Sequence, residues 1–143
     1  MVAVSGPKLR MFVHLAYHTG VRAGEARRLR WRDVDLRRGL IRVAGEKAGP
    51  QQRERVRWIS INSELAQALR DYRGLPQGRC THLFEYGGRP QWSNLNRMFE
   101  QAVRAAGFAA ERHITPHTLR HTFGAEMAMR GVPLRKIQLL MGH

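Results

Sequence analysis

The stretch Ile114-Thr-Pro-His117-Thr-Leu119-Arg120-His121-Thr-Phe123 opens a helix, and its reading decides how the rest of the chain is read. Thr115 is a natural N-cap. Pro116 suits the first helical position, where its missing N–H leaves no bond unmade. Leu119, Phe123 and Met127 recur at i, i+4 and i+8, so one stripe of the helix faces a core. His117 and Arg120, at i and i+3, are expected on the outward face of the first turns. Beside the free N–H groups of a helix start, such a pair suits a phosphate. His113, His117 and His121 are also spaced by four, which raises a metal. The cap places His113 before the helix, and no cysteine or carboxylate completes a ligand set, so no metal is expected.

Helical spacing continues on both sides. Downstream, Gly131 ends this helix and Pro133 starts a last one, with Ile137, Leu140 and Met141 inward, closing at Gly142-His143. Upstream, Ser93 is expected to cap a helix from about Asn94 to Ala106, ended by Gly107. Leu95, Met98, Phe99, Ala102 and Val103 are its inward positions. Asn62-Ser-Glu64 starts a helix that runs to about Tyr72. Leu40–Val43 and Val56–Ile61 are β-branched and partly alternating, which predicts a β-hairpin around the turn-rich loop Gly45–Gln52. Near the start, Lys8 to His18 reads as an amphipathic helix stopped at Thr19-Gly20, and a second helix spans about Ala23 to Arg30. Glu25 lies in its first turn, where a carboxylate suits the helix dipole. The fold class expected is α+β and mainly α-helical: about six helices and a small antiparallel sheet, in one domain over residues 1–143.

Charge narrows the partner. The chain of 143 residues carries 25 Lys+Arg against 11 Asp+Glu, a formal charge of +14, with 43% hydrophobic residues. That combination fits a folded domain that meets a polyanion, most often nucleic acid and less often an anionic membrane surface. It argues against an enzyme for acidic small molecules. No apolar run reaches the ~18–20 residues that a membrane span needs, so no membrane partner is expected. Cys80 is the only cysteine, which excludes an internal disulfide and fits a cytoplasmic compartment. The positive charge is nearly all arginine, with Lys8, Lys47 and Lys136 the only lysines. An RNA-binding module has no support, because no aromatic run resembles a base-stacking platform.

Arg22 sits at the mouth of a helix N-terminus beside the turn at Gly20. It can fork onto a phosphate, or simply pair with Glu25 on the surface. Lys47, on the hairpin loop, could give a proton to a leaving oxygen or be a solvated loop lysine.

Read together, these segments resemble the C-terminal catalytic domain of the tyrosine recombinases, or phage integrases. The resemblance runs through Thr19-Gly20-x-Arg22-x-x-Glu25, then Leu29-x-Trp31-x-Asp33-Val-Asp35, then Leu83-Phe84 with Gly87-Gly-Arg-Pro90. It continues through Thr115-Pro-His117-x-Leu119-Arg120-His121-Thr-Phe123 and Gly131-Val-x-Leu134-x-x-Ile137-x-x-Leu140-Met-Gly142-His143. It implies that Arg22 and Arg120 clamp the scissile phosphate. By the same resemblance His117 acts in proton transfer and phosphate binding, Lys47 protonates the departing 5′-oxygen, and His143 hydrogen-bonds the phosphate. Glu25 braces the helix of the first arginine, and His121 plays a supporting part. Two guanidinium groups and histidine donors stabilise a phosphorane's charge without a cofactor or metal, so cleavage of this kind is expected to be insensitive to chelators.

The family's nucleophile is a tyrosine just beyond the Gly-His motif, which forms a 3′-phosphotyrosyl link to DNA. Tyr17, Tyr72 and Tyr86 do not match that position, so no nucleophile is expected in this chain. Alone it is expected to be inactive in strand transfer and monomeric, without the family's N-terminal DNA-clamping domain. A parent recombinase would assemble on DNA with other subunits. The alternative is a basic DNA-binding module with an idle phosphate site. A phosphate clamp predicts that Arg120→Ala weakens duplex binding about tenfold more than Arg97→Ala, one charge-assisted hydrogen bond's worth. Both affinities should fall steeply with salt. Equal losses, measured by fluorescence anisotropy across a salt series, would leave only bulk charge.

Overall fold

The computed structural model describes residues 6–45, 54–75, 80–85, 92–108 and 112–143. Lys47, Tyr86 and the Gly87–Pro90 turn lie outside them. Six α-helices and a three-stranded antiparallel sheet follow in the order α1 (Pro7–Thr19), α2 (Ala23–Arg28), β1 (Val34–Asp35), β2 (Leu40–Ala44), β3 (Val56–Ser60), α3 (Ser63–Arg73), α4 (Leu95–Ala105), α5 (Pro116–Met129) and α6 (Leu134–Met141). Among the described residues, no helix is long and apolar enough to cross a membrane. The α+β, mainly helical architecture is as expected from the sequence.

α1 forms the centre. Leu9, Met11, Phe12, Val13, Leu15 and Ala16 are all buried, so this helix is covered on more sides than its amphipathic spacing implied. It packs against α2, α3, α4 and α5. Phe12 meets Trp92 edge-on, with ring centroids 5.6 Å apart, and Trp92 stacks on Phe84 at 5.1 Å. Aromatic pairs of this geometry add to plain area burial. A second, smaller cluster of Phe123, Ile137 and Met141 joins α5 to α6.

Local differences from the expected elements have physical causes. The second helix ends at Arg28 rather than Arg30. Trp31–Asp33 instead makes a 3₁₀ turn, with Asp33 Oδ2 accepting from the Arg30 N–H at 3.0 Å. Val34–Asp35 then pairs with β2, so the hairpin becomes a sheet of three strands in the order β1-β2-β3. The β1–β2 turn is stabilised by Asp35 Oδ1, which accepts from the Arg38 N–H at 2.9 Å. Asn94, not Ser93, occupies the N-cap position of α4. The α3 helix starts where expected, and Asn62 caps it, its side chain accepting from the Leu65 N–H at 2.8 Å. Thr115 and Pro116 open α5 in their expected places, with the Thr118 hydroxyl accepting from the Thr115 N–H at 2.9 Å. On β2 and β3, Ile41 pairs with Ile59 and Val43 with Arg57. That register turns Arg57 to the inner face with Ile41, Val43 and Ile59, while Trp58 stands 54% exposed on the other.

The junction of α1 with α5 positions the site. Gly20 ends α1 at φ 66°, its N–H donating to the Ala16 carbonyl. A Cβ there would stand 2.5 Å from Phe123 Cδ1. Thr19, also buried, donates its hydroxyl to the Leu15 carbonyl at 2.6 Å. The Thr-Gly pair thus lets the chain turn sharply while the aromatic ring of α5 packs closely against it. Gly20→Ala combines left-handed strain with overpacking against Phe123, a cost of roughly 3 kcal/mol or about 10 °C in Tm. A thermal midpoint within a degree or two of wild type would show that the α1–α5 contact tolerates a methyl group.

Candidate functional site

Arg120 lies on α5 one turn before Phe123, and the packing that buries Phe123 carries it inward. Its expected outward position is wrong: the residue is only 2% exposed. Two backbone carbonyls make that burial tolerable. Nη1 donates to Gly20 O and Nη2 to Met141 O, each at 2.5 Å. Both carbonyls stand at helix C-termini, where the aligned peptide dipoles favour a cation. Burial, and then the neighbouring charge of Arg22, lower the Arg120 pKa to about 10, which leaves it charged at neutral pH. His143 Nε2 lies 3.4 Å from Nη2 on the same guanidinium.

Arg22 occupies the N-cap position of α2. Glu25, in the first turn, reaches back so that Oε2 accepts from the Arg22 N–H at 2.9 Å, the reciprocal half of a capping box. The Arg22 guanidinium reaches Glu25 Oε1 only at 3.4 Å and is 36% exposed, so most of its donors stay free for another acceptor. The Glu25 side chain has no exposure, and it is held mainly by Arg57 of β3. Arg57 Nη1 and Nη2 fork onto its two oxygens at 2.9 and 2.8 Å. Burial pushes the Glu25 carboxyl up, but the hydrogen bonds from Arg57 and the Arg22 backbone, with both positive charges, hold it below the ordinary carboxylate value.

Arg22, His117 and Arg120 line one cleft of about 730 Å³ between α4 and the start of α5, with Arg104, Arg112 and His113 also on its walls. The His117 ring meets His121 edge-on at 4.4 Å. Partial burial first, then the nearby His121 and Arg120 charges, lower the His117 pKa. His143 is lowered by burial and then by Arg120, Arg22 and Arg57. Both imidazoles are therefore neutral at pH 7. Arg22 and Arg57 share the one carboxylate of Glu25, while Arg120 is held by carbonyls, which leaves a surplus of positive charge beside an open cleft. Such a field suits an anion with several oxygens.

Of the residues singled out in the sequence, Arg22, Glu25, His117, Arg120, His121 and His143 come together here. Lys47 lies outside the described residues. Tyr17 is elsewhere, its hydroxyl donating to Glu126 Oε1 at 2.6 Å. Tyr72 is buried, with its hydroxyl on the Leu83 carbonyl. Among the described residues no cluster of three potential metal ligands occurs. Arg57 escaped the motifs. Its signal was the β3 alternation, which puts an arginine at an inward position.

Fold and cleft define a mainly helical domain with a basic, anion-suited cleft, and comparison gives its family. A model of the phage integrase family matches residues 4–143. The chain is 35% identical to tyrosine recombinase XerC of Xanthomonas campestris pv. campestris (strain B100), over 96% of this chain and 41% of that protein. It superposes on the crystal structure of XerA recombinase with a TM-score of 0.79, at 31% identity over 99% of this chain and 50% of that one. The Tn1549 transposon integrase, solved with circular intermediate DNA, gives a TM-score of 0.73 at 26% identity, over 95% of this chain and 50% of that one. The chain belongs to the phage integrase family of tyrosine recombinases. It spans less than half the length of the XerC relative it matches.

The buried ion pair sets a pH response. Because the Glu25 pKa is depressed in the folded state, its contribution is complete above its unfolded value and is lost as pH falls through the folded one. Glu25→Gln leaves Arg57 without its counter-charge and should cost about 3 kcal/mol at pH 7. The gap from wild type should narrow below about pH 4.5, near the ordinary carboxylate value. Urea unfolding at pH 7, 4 and 3 checks this; a gap independent of pH would exclude the ionised carboxylate as its source.

Proposed function

We propose that this chain supplies the phosphate-holding part of a site that breaks and rejoins strands of double-stranded DNA through a 3′-phosphotyrosyl intermediate. The observation that carries the reading is the Arg120 guanidinium. It is buried, anchored by two backbone carbonyls, and set beside Arg22 and His143 in a cleft with surplus positive charge. Groups fixed this way need no reorganisation when charge develops on the non-bridging oxygens in the transition state. Arg22 and Arg120 hold those oxygens, and His143 adds a third contact. His117, neutral at pH 7, takes the proton of the attacking hydroxyl. Lys47 is assigned the protonation of the leaving 5′-oxygen, on the family resemblance alone. We assign the attacking role to none of Tyr17, Tyr72 and Tyr86.

Adduct trapping tests the reading. The tyrosine-bearing C-terminal part of a XerC relative is joined after His143, and the fusion is offered a nicked duplex from which the cleaved fragment diffuses away. A covalent protein–DNA adduct should accumulate and survive denaturing electrophoresis. Arg120→Ala and Arg22→Ala should each slow its formation about 10²–10³-fold, the loss typical of removing one preorganised donor. Adduct formation at equal rates in the variants would overturn the clamp. Tight duplex binding with no adduct would instead favour an idle binding module.

A further inference from the structure

None of the motifs that carry the family resemblance contains Arg57, yet its guanidinium spends donors on two separate pieces of the site. Nη1 and Nη2 hold both oxygens of Glu25, whose carboxylate in turn fixes the start of α2 and Arg22. Nε donates to the Leu140 carbonyl at 2.7 Å, in the last turn of α6. The next carbonyl, Met141, anchors Arg120, and His143 follows two residues later. Gly142, at φ 72°, lies against the same guanidinium: a Cβ there would stand 2.7 Å from Arg57 Nη1 and 3.0 Å from Cζ. The chain therefore crosses the guanidinium where no side chain fits, on its way to His143.

Charge compensation for Glu25 would not by itself need this arrangement. A point charge could neutralise the carboxylate, and a buried pair is often replaceable at little cost in stability. What a planar fork adds is direction. It holds the Glu25 carboxylate and a carbonyl of α6 at set angles to each other. We propose that Arg57 is a positioning residue: it fixes the start of α2 against the end of α6, and so sets the spacing of Arg22 and His143 across a bound phosphate. The inference rests on the phosphate-clamp reading above and extends it to a residue that does not touch the phosphate.

The test uses the full chain and a minimal phosphodiester, thymidylyl-(3′→5′)-thymidine, so that bulk attraction to DNA does not mask the site. Histidine ring resonances are followed by NMR during titration. In the wild type, His117 and His143 should shift with one midpoint. Arg57→Lys keeps the charge but cannot fork on Glu25 while reaching Leu140. It should raise the midpoint about tenfold, as removal of an orienting partner commonly does, while the distant His18 resonance shows the fold intact. Arg97→Ala should leave the midpoint unchanged. A role in stability alone would lower the melting temperature of Arg57→Lys and leave its midpoint at the wild-type value, which overturns the proposal. Should Arg57→Lys fail to fold, the wild-type Arg57 Nε–H resonance decides: it should shift with the His143 midpoint, and a resonance that stays fixed while His143 titrates also overturns it. If the dinucleotide moves neither histidine in the wild type, the clamp itself fails, an outcome distinct from a clamp that works without Arg57.

Discussion

A carboxylate with no access to water must be compensated, and much of this site's geometry follows from how Glu25 is. Its two oxygens receive a forked guanidinium from β3 and a backbone N–H from the start of α2. These bonds bring together elements distant in sequence, since Glu25 and Arg57 are 32 residues apart. Taking Glu25 away would strand a guanidinium that is itself mostly buried, so the two are retained or lost together. The same bonds commit Glu25 behind the cleft, and they leave the outward donors of Arg22 uncommitted.

Arg120 is compensated differently. It has no carboxylate of its own and is held by carbonyls at the ends of α1 and α6. Dipoles satisfy its burial without cancelling its charge. An arginine paired with a carboxylate would be electrically quiet, whereas one held by carbonyls still projects its charge into the cleft. This is the physical link between folding and binding here: the contacts that stabilise the domain also maintain an unneutralised cation at a fixed point. Gly20 and Gly142 serve the same end, because each lets backbone approach a ring or guanidinium more closely than any side chain permits.

Much of this was legible in the sequence. Thr115 and Pro116 announced the start of α5, Asn62 the start of α3, and Gly20 and Gly131 the ends of helices, because caps and stops are local chemistry. The β1 strand was missed because two residues carry no readable period. Ser93 and Asn94 are both good cap residues, and only the path of the chain chose between them. Arg120 was placed outward because its neighbours Leu119 and Phe123 fill an apolar stripe and an arginine beside them reads as solvent-facing. Arg57 went unnoticed because an inward arginine on a strand has meaning only once its partner is known.

The sequence by itself determined the α+β class, the order of the helices, the basic character and the set of residues that could meet a phosphate. These depend on neighbours within a turn or two and on summed charge. Only the tertiary structure decided which cations are neutralised and which remain free. Burial and electrostatic pairing depend on distances between segments 21 to 100 residues apart in this chain, and no local pattern encodes them.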